Sequence, residues 1–476
     1  MGRGIIYLFL AHTNHIKYKY KGRKSAVKLS DRVEKYRGLI LDSERYLWKN
    51  PEPGYKEFKT NEYMLGIFKR LGYEVTPAEG VTGFFVTLDT GRAGPTLLIL
   101  AELDSLINRS HPESDPETGA VHSCGHHIQC AAMVGVAAAL AEEGALEGLC
   151  GRIKLCLVPA EEGIEIGYRK SLIEKGVIKY TSGKTEFISR GYFSDVDIAF
   201  MVHAGVATYE GERFHLSIGH NGVVRKCSIF KGKAAHAGAH PERGINALNA
   251  ATSALSAANS LRETFRECDY FRFHSIITKG GDSVNAVPDE VIVESYVRAA
   301  SSRALAMANE KINRAFSACA AAFGATLEIN DMPGSEPLRE DLNLRDAAAE
   351  VLEELVGKDG YSVSNEWTAS STDMGDVSSI VPAIHAYVRG SSGTMHGKDY
   401  AVVDPELSCC ENAKFQLALI EKLLSDGAAR AKDIISKYTP VFKSLDEYIA
   451  HKNSMQLSRN TVEYKNDGTV VLNYKD

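Results

Sequence analysis

Residues 95–106, PTLLILAELDSL, join a run of apolar residues to two acidic residues that follow it directly. The run at 95–101 is almost wholly apolar, which is typical of a strand that is buried on both faces. Further strand-like runs occur at 83–89, 153–158 and 196–202, and helical patterns at 30–49 and 126–142 lie around them. Strands that alternate with helices predict βαβ units and a mostly parallel sheet.

The pattern changes after residue 212. Strand-like and helical segments follow in the order strand, helix, strand, strand, helix, strand, at residues 223–231, 244–266, 271–279, 290–298, 302–323 and 325–330. This is the order of a ferredoxin-like unit. Helix 340–356, strand 383–388 and helix 409–425 then return to the first pattern. We therefore predict a main α/β domain in two parts, 25–212 and 333–426, an inserted α+β domain at 213–332, and a C-terminal extension at 427–476.

Composition narrows the class of protein. The chain has 476 residues, of which 44% are hydrophobic and 24% charged, values that exclude a disordered chain, a collagen and a coiled-coil rod. A net charge of −6 gives no overall electrostatic reason to bind nucleic acid. No apolar run approaches the roughly 18 residues that cross a membrane.

The cysteines and the N-terminus bear on the compartment. Nine cysteines occur without a CxxC pair, which indicates a reducing compartment and no disulfide framework. The apolar run at 5–11 is at the lower limit for a signal sequence, and no cleavage site follows it. We expect an ordinary cytoplasmic N-terminus.

Five short segments carry residue types that ligate metals. They are AELDSL (101–106), HSCGHH (122–127), PAEEG (159–163), VHAG (202–205) and GTMHG (393–397). Four of them fall where a predicted strand ends or a helix begins. Because ligands in open α/β sheets bind outside the carboxyl ends of the strands, we expect the five segments to converge on one rim.

The residue types in these segments suit a metal-assisted reaction. Cys124 and His126 offer a thiolate and an imidazole, which suit zinc and similar ions. Glu161 and Glu162 end an apolar strand, and one carboxylate can bind metal while the other takes a proton from water. Each residue alone also has a purely structural interpretation, as a buried cysteine, a solvated acidic loop, or a core or loop histidine. With His203 and His396 the set supplies five ligands and one spare base, which suits two ions about 3.5–4 Å apart.

The motifs in chain order resemble the M20 metallopeptidase family. The resemblance lies in its amidohydrolase branch of aminoacylases, hippurate-type hydrolases and aminobenzoyl-glutamate hydrolases. The segments that carry it are those above and NPEPGYKEFKT (50–60), AAHAGAHPERGINAL (234–248), SVNAVP (283–288) and STDMGDVS (371–378). It implies a zinc-peptidase-like α/β domain with a mixed, mostly parallel sheet. It also implies that the ferredoxin-like insert is a lid through which two protomers form a homodimer.

The resemblance also implies roles for single residues. Cys124 bridges two divalent ions in each protomer, zinc or manganese, with nickel or cobalt also compatible, and the other ligands are His126, Glu162, His203 and His396. Glu161 is the general base, and Asp104 orients a ligand. His236 reaches the active site of the partner protomer, where it polarises the carbonyl that is cleaved. Asn285 and Arg298 contact the substrate carboxylate.

The resemblance implies hydrolysis of a small N-acyl or N-aroyl amino acid by a water that the two ions activate. From the net charge and the lack of a long apolar run, we expect no nucleic acid and no membrane as partner. A dipeptidase of the same family is the alternative enzyme, and a catalytically inactive small-molecule binding protein is the alternative of another class. Two residues depart from the family pattern, His127 after CGH and Glu102 in place of Asp. Neither is among the implied ligands. The extension 427–476 exceeds the usual end of the family.

Overall fold

The computed structural model describes residues 28–475, so the expectation about the apolar run at 5–11 lies outside the described residues. A 3₁₀ helix, Leu29–Tyr36, comes first. The elements that follow are α1 (Arg37–Lys49), α2 (Phe58–Arg70), β1 (Thr76–Pro77), β2 (Phe84–Asp89), β3 (Thr96–Glu102), β4 (Leu106–Ile107), β5 (Ala120–Val121), α3 (His126–Leu140), β6 (Arg152–Val158), α4 (Ile166–Glu174), α5 (Gly183–Ser189) and β7 (Ile198–Val206). No helix in the described part of the chain is long and apolar enough to cross a membrane.

The second half begins with two short strands, which are followed by a unit of both strands and helices. It contains β8 (Phe214–Leu216), β9 (Gly219–His220), β10 (Gly222–Lys231), α6 (Ala247–Ser260), β11 (Arg272–Lys279), β12 (Glu290–Ala299), α7 (Ser302–Ala322) and β13 (Thr326–Pro333). After it come β14 (Leu338–Arg339), α8 (Leu342–Val356), β15 (Tyr361–Val363), α9 (Met374–Ser378), β16 (Ala383–Ser392), β17 (Ala401–Val402) and α10 (Asn412–Leu424). The C-terminal elements are α11 (Ala429–Lys437), α12 (Leu445–Ser454), β18 (Leu457–Asn460), β19 (Val462–Tyr464) and β20 (Val470–Leu472).

The large sheet has the strand order β1-β2-β6-β3-β7-β16-β8-β15, and β17 pairs with β16. Its centre, β6-β3-β7-β16, is parallel throughout, whereas β2 runs antiparallel to β6 on one side and β8 runs antiparallel to β16 on the other. The mixed, mostly parallel sheet predicted from the sequence is confirmed.

Strand β3 shows why this sheet needs helices on both faces. Leu97 and Ile99 belong to the core formed with α3 and α10, whereas Leu98 and Leu100 belong to the core formed with α5 and α9. Successive side chains of a strand point to opposite faces. A strand that is apolar on both faces therefore requires helices on both sides of the sheet, and β3 has them.

The unit β10–β13 with α6 and α7, called the inserted unit below, has its own antiparallel sheet of order β11-β12-β10-β13 and its own apolar core. The chain order β-α-β-β-α-β and this strand order are those of a ferredoxin-like fold. The strand β12 alternates between half-buried and buried residues along its length. One face of the sheet therefore packs on α6 and α7, and the other remains available to line a cavity.

Several helices differ from the sequence prediction at their ends. The predicted helix 30–49 begins as a 3₁₀ helix before α1, and the predicted helix 409–425 begins with a π-helical turn, Glu406–Glu411, before α10. Helix α2 was not predicted. Gly66 lowers the intrinsic preference of this segment for a helix, but the helix buries Met64, Ile67 and Phe68. Packing outweighs the local preference there.

The C-terminal extension ties the inserted unit to the main sheet. Strand β18 pairs with β13, with Leu457 opposite Asp331. In α12, the buried ammonium of Lys452 donates hydrogen bonds to the carbonyl oxygen of Gly334 and to Oδ1 of Asp376, both 2.8 Å away. Gly334 follows β13, where the chain leaves the inserted unit, and Asp376 lies in α9 of the main domain. The last strand, β20, pairs with β19.

Replacing Lys452 by methionine tests this connection. The Lys452 and Asp376 side chains are both fully buried, so Lys452→Met leaves an unpaired buried carboxylate. We expect the free energy of unfolding to fall by about 3–5 kcal/mol. Lys437→Met, which breaks an exposed pair with Asp433, is the control and should cost less than about 1 kcal/mol. Urea unfolding of both variants measures the difference, and equal small losses would contradict the connection.

Candidate metal centre and active site

The five segments that carry metal-ligating residue types meet at the carboxyl ends of the central strands of the large sheet. Glu102 ends β3, Glu161 and Glu162 follow β6, and His203 lies within β7 near its carboxyl end. Cys124 and His126 stand at the start of α3, and His396 lies in the loop after β16. The convergence expected from the sequence is therefore found, with the difference that β7 continues past His203 to Val206.

Cys124 lies at the centre of this group. Its Sγ atom is 3.2 Å from Nε2 of His396 and 3.6 Å from Nε2 of His203. Two triads of potential ligand atoms contain Cys124, one with His126 and His203 and the other with Glu162 and His396. Both triads contain the same sulfur, so a single thiolate is placed between two potential ion positions.

A glycine makes this arrangement possible. Gly125 has φ 81°, and a Cβ atom there would lie 2.3 Å from Cβ of Ala204 and 2.7 Å from the hydroxyl of Tyr400. Only glycine adopts this backbone conformation without strain in so little space. The close approach of the α3 start to β7 brings Cys124 and His203 together.

Backbone acceptors fix the proton positions of two histidines. Nδ1 of His126 lies 2.9 Å from the carbonyl oxygen of Asp104, and Nδ1 of His203 lies 2.8 Å from the carbonyl oxygen of Ala204. A carbonyl oxygen only accepts hydrogen bonds, so each Nδ1 carries the proton. When its ring is neutral, each imidazole presents the Nε2 lone pair to the centre, as a metal ligand must.

Asp104 orients two of the potential ligands. Its Oδ1 is 3.1 Å from Nδ1 of His126, and its Oδ2 accepts a hydrogen bond of 2.9 Å from the backbone N–H of Glu162. The side chain is fully buried and turned away from the cavity. Asp104 is therefore placed where it can orient His126 and Glu162, outside the lining of the cavity.

The two adjacent glutamates have opposite electrostatic environments. Burial raises the pKa of Glu162, but the nearby His396 outweighs burial and brings that pKa down to about 2. Burial, with the carboxylates of Glu102 and Glu162, holds the pKa of Glu161 well above its usual range. A carboxylate that stays ionised suits a ligand, and one with a raised proton affinity suits a general base.

A third buried acid belongs to the group. Glu102 Oε2 lies 3.1 Å from Nε2 of His126, and the ammonium of Lys184 lies 2.5 Å from the other oxygen of Glu102. Lys184 also pairs with Asp373 at 2.5 Å, and all three side chains are buried. Glu102 is not in the ligand set predicted from the sequence, and no local sequence pattern places Lys184 beside it.

The donor atoms fit divalent ions. Nε2 of His126 and Oε1 of Glu162 are buried and have no hydrogen-bond partner in the described structure. Orphaned buried atoms of this kind are costly unless an ion or a water satisfies them. Thiolate, imidazole and carboxylate together suit zinc and also admit other divalent transition metals.

A cavity of about 590 Å³ opens in front of the centre. From the main domain it is lined by Glu161, Glu162 and His396, and from the inserted unit by Arg225 and Arg298, among others. The Nε atoms of both arginines are buried without a hydrogen-bond partner. A cavity with two cations on one wall and a potential metal centre on the other suits a small anionic molecule.

Two residues implied by the resemblance lie elsewhere. His236 and Asn285 are exposed, adjoin each other through a backbone hydrogen bond from Ala237 to Asn285, and do not line the cavity. Nδ1 of His236 accepts hydrogen bonds from the backbone N–H groups of Gly238 and Ala239. Its Nε2 therefore carries the proton and is a donor at the surface of the inserted unit.

Sequence reasoning missed several residues of the cavity wall. Arg225, Tyr296 and His274 stand opposite one another across β10, β12 and β11. The alternation of residue types along β12 could have indicated these residues, because it places Tyr296 on the same face as Arg298. On the main domain, His220, His385 and Tyr387 also line the cavity. His127, the other departure from the family pattern, points instead to Glu44, 3.3 Å away.

Comparison with known proteins identifies the family. A model described as Peptidase family M20/M25/M40 matches residues 98–422. The chain therefore belongs to this family, and it is a hydrolase of amide or peptide bonds.

Individual relatives extend the comparison. The Xaa-Arg dipeptidase of Homo sapiens is 29% identical over 421 residues, which cover 83% of this chain and 85% of the relative. A p-aminobenzoyl-glutamate hydrolase component from Escherichia coli (strain K12) is 30% identical over 263 residues, which cover 53% of this chain and 56% of the relative.

Solved structures show the same fold. An aminobenzoyl-glutamate utilization protein from Klebsiella pneumoniae matches with a TM-score of 0.60 and 20% identity, over 83% of this chain and 98% of that one. A dinuclear metal-binding peptidase of the M20 family from Bacillus subtilis matches with a TM-score of 0.60 and 20% identity, over 82% of this chain and 99% of that one.

Alkylation of Cys124 tests the electrostatics of the centre. Burial and Glu162 raise the pKa of this thiol, but His126 and His203 outweigh them and lower it to about 6. In protein stripped of divalent ions, we expect the rate of iodoacetamide modification at Cys124 to rise through pH 6 and to level off by about pH 7. Added zinc should slow the reaction. Cys130, whose pKa burial raises, should stay unmodified, and the Cys124→Ser variant gives the background. A rate that still rises at pH 9 would contradict the lowered pKa.

Proposed function

We propose that the protein hydrolyses the amide bond of small N-acyl or N-aroyl amino acids with an anionic amino-acid part, aminobenzoyl-glutamate being the type of substrate. Two divalent ions in each protomer, zinc or manganese, would be held by Cys124, His126, Glu162, His203 and His396. The observation that carries the proposal is the pair of ligand triads that share Cys124 beside a spare carboxylate, Glu161.

The ions, when bound, supply Lewis acidity to the carbonyl and lower the pKa of water. Glu161 takes a proton from the attacking water at its carboxylate and delivers it to the leaving amine. Its raised pKa favours both transfers, because the carboxyl can hold the proton between the two steps. Asp104 keeps His126 and the Glu162 backbone in place during the reaction.

The inserted unit supports the choice of an anionic substrate. Arg298 and Arg225 present guanidinium groups to the cavity, and a carboxylate would pair with them. Among the described residues, the acids that line the cavity are Glu161, Glu162 and Asp373. The first two have roles at the centre, and Asp373 pairs with Lys184. No acid of this set is left to bind a basic side chain.

A dipeptidase is the second candidate. The Xaa-Arg dipeptidase similarity spans most of both chains and favours it. The cationic cavity wall favours the acyl-amino acid. A binding protein without activity is the weakest candidate, because a sensor needs no spare base beside its ligands. All nine cysteines are free, which supports our proposal of a reducing compartment, the cytoplasm.

We further propose that two protomers pair through the inserted unit and that His236 of one protomer completes the cavity of the other. His236 is exposed, carries its proton on the free Nε2 and lies outside the cavity of its own chain. A donor that reaches the developing oxyanion from a second protomer would act only when the site is closed. Val284, next to Asn285 in the chain, and Ile276 in β11 are exposed apolar residues of the inserted unit and suit such a contact.

A substrate panel tests the activity. Metal-stripped protein is assayed with aminobenzoyl-glutamate, hippurate, acetyl-glutamate and Gly-Arg after zinc, manganese, cobalt or nickel is added back. We expect turnover of the glutamate amides, and turnover of Gly-Arg alone would replace the proposal by the dipeptidase. Glu161→Gln should lower turnover by at least roughly 10²–10⁴-fold with near-normal metal content. Glu162→Gln should instead lower metal content, and the reverse pattern would exchange the two roles.

Mixing of two variants tests the role of His236. His236→Ala should lower turnover by roughly 10²–10³-fold, the typical effect of one lost oxyanion donor, with unchanged metal content. When His236→Ala and Glu161→Gln protomers are mixed, each mixed dimer has one site with Glu161 and a partner's intact His236. We expect part of the activity to return. Mixed dimers that form without any gain would rule out the arrangement across the dimer.

A further inference from the structure

The segment NPEPGYKEFKT (50–60) packs against the loop that carries the two adjacent glutamates, residues 160–163. In the described structure the segment supplies no ligand of the triads and no residue of the cavity lining. Three of its buried residues, Gly54, Tyr55 and Glu57, lie instead against the beginning of that loop. The metal centre and the cavity therefore do not explain what this segment does.

Ala160, the first residue of the loop, has an unusual backbone conformation. Its φ is 55°, in the left-handed region that alanine rarely adopts. Ala160 lies between the end of β6 and Glu161, so its conformation sets the direction in which the chain presents Glu161 and Glu162 to the centre. A residue in such a conformation persists only where its surroundings hold it.

Two buried side chains hold Ala160 by its backbone groups. Oε1 of Glu57 accepts a hydrogen bond of 2.9 Å from the N–H of Ala160, and Nη1 of Arg169 donates one of 3.1 Å to its carbonyl oxygen. The other oxygen of Glu57 accepts a hydrogen bond of 2.6 Å from the hydroxyl of Thr82, which fixes the carboxylate. Both polar backbone groups of Ala160 are thus bound by side chains from outside the loop.

Arg169 extends this support to the next residues. Its guanidinium group also donates hydrogen bonds to the carbonyl oxygens of Glu162 and Thr181, and it forms no ion pair with any acid of the described residues. The donors of a guanidinium form a rigid fork, so one arginine binds several carbonyl oxygens at once. The charge of Arg169 is therefore directed to the backbone of the loop.

Gly54 and Tyr55 fix the position of the Arg169 guanidinium. A Cβ atom on Gly54 would lie 2.5 Å from Nη2 of Arg169 and 2.8 Å from Cα of Ala160, so only glycine leaves room for both. The ring centre of Tyr55 lies 5.5 Å from the guanidinium carbon, within the range of a cation–π contact. The Tyr55 hydroxyl donates a hydrogen bond of 3.1 Å to the carbonyl oxygen of Tyr180, which fixes the ring.

We propose that four residues hold the loop with Glu161 in the position that the reaction needs. These positioning residues are Gly54, Tyr55, Glu57 and Arg169. The inference rests on the proposed function, in which Glu161 is the general base. A base must lie within hydrogen-bond reach of the water that it deprotonates, and a displacement of about 1 Å can lower a rate by roughly 10²-fold. The four residues act through the backbone of the loop and do not line the cavity.

Two variants remove the support without changing the cavity lining. Glu57→Met takes the acceptor from the Ala160 N–H, and Arg169→Lys keeps the charge but cannot bind all three carbonyl oxygens. In metal-stripped protein, amide hydrogen exchange over residues 159–165 should be roughly 10-fold faster in both, the typical effect of one lost hydrogen bond. With metal added back, the turnover number should fall by roughly 10²-fold. KM should stay near its wild-type value, because the groups that bind the substrate remain.

Two matched controls lose the same types of contact elsewhere. Oε2 of Glu52, in the same segment, accepts hydrogen bonds from the backbone N–H and the hydroxyl of Thr60. The guanidinium of Arg92 donates to the carbonyl oxygens of Leu146 and Leu149. Glu52→Met and Arg92→Lys should therefore keep wild-type exchange over residues 159–165 and wild-type turnover.

The proposal requires both effects in the folded variants. Faster exchange with wild-type turnover, or lower turnover with wild-type exchange, would overturn it. If one of the two variants does not fold, the other decides. Wild type that hydrolyses no substrate of the panel would overturn the proposed function instead, and the exchange rates alone would then decide whether the segment holds the loop.

Discussion

Mutual repulsion among buried negative groups is the constraint on which this site depends. Glu102, Cys124, Glu161 and Glu162 crowd one edge of the central sheet, largely out of contact with water. Burying charge without compensation is expensive, and in proteins it is offset by pairing, by protonation or by metal. The surrounding architecture provides for all three. Lys184 pairs with one acid, Glu161 has a raised proton affinity, and the imidazole lone pairs are directed to where divalent ions would lie.

The sequence revealed the part of this design that is local. Apolar runs predicted strands such as β3 and β6. The carboxyl end of each predicted strand then indicated which residues lie at the rim of the sheet where ligands bind. Cys124 and His126 could be placed because they start a helix. The ferredoxin-like order of the inserted unit was equally visible, since it depends on the succession of elements and not on their contacts.

What the sequence did not reveal depends on partners far apart in the chain. Lys184 pairs with Glu102 and Asp373, which are 82 and 189 residues away in the chain. No local sequence pattern indicates that these three residues lie together. The cavity wall likewise depends on the register of β10, β11 and β12, which brings Arg225 and His274 to either side of Tyr296. Helix α2 escaped prediction because its stability comes from packing and not from its composition.

The inserted unit and the loop that carries Glu161 are in direct contact. Arg225 donates a hydrogen bond to the backbone oxygen of Glu161, and Tyr296 donates one to the backbone oxygen of Gly163. A rotation of the inserted unit would therefore pull on the loop that holds Glu161. Lys452 and β18 of the C-terminal extension restrict that rotation at the point where the chain returns to the main domain.

Strand β18 also governs how sheets of neighbouring molecules can join. Without it, the sheet of the inserted unit would end at β13, an eight-residue strand whose unpaired backbone groups would be a template for another chain. In the described residues that margin is occupied by four residues, Leu457–Asn460, mostly polar and partly charged. The long open margin is β11, on the opposite side of the same sheet. Among the described residues, this sheet has no second long margin, so molecules that joined margin to margin along β11 would stop at a closed pair and would not continue into a filament.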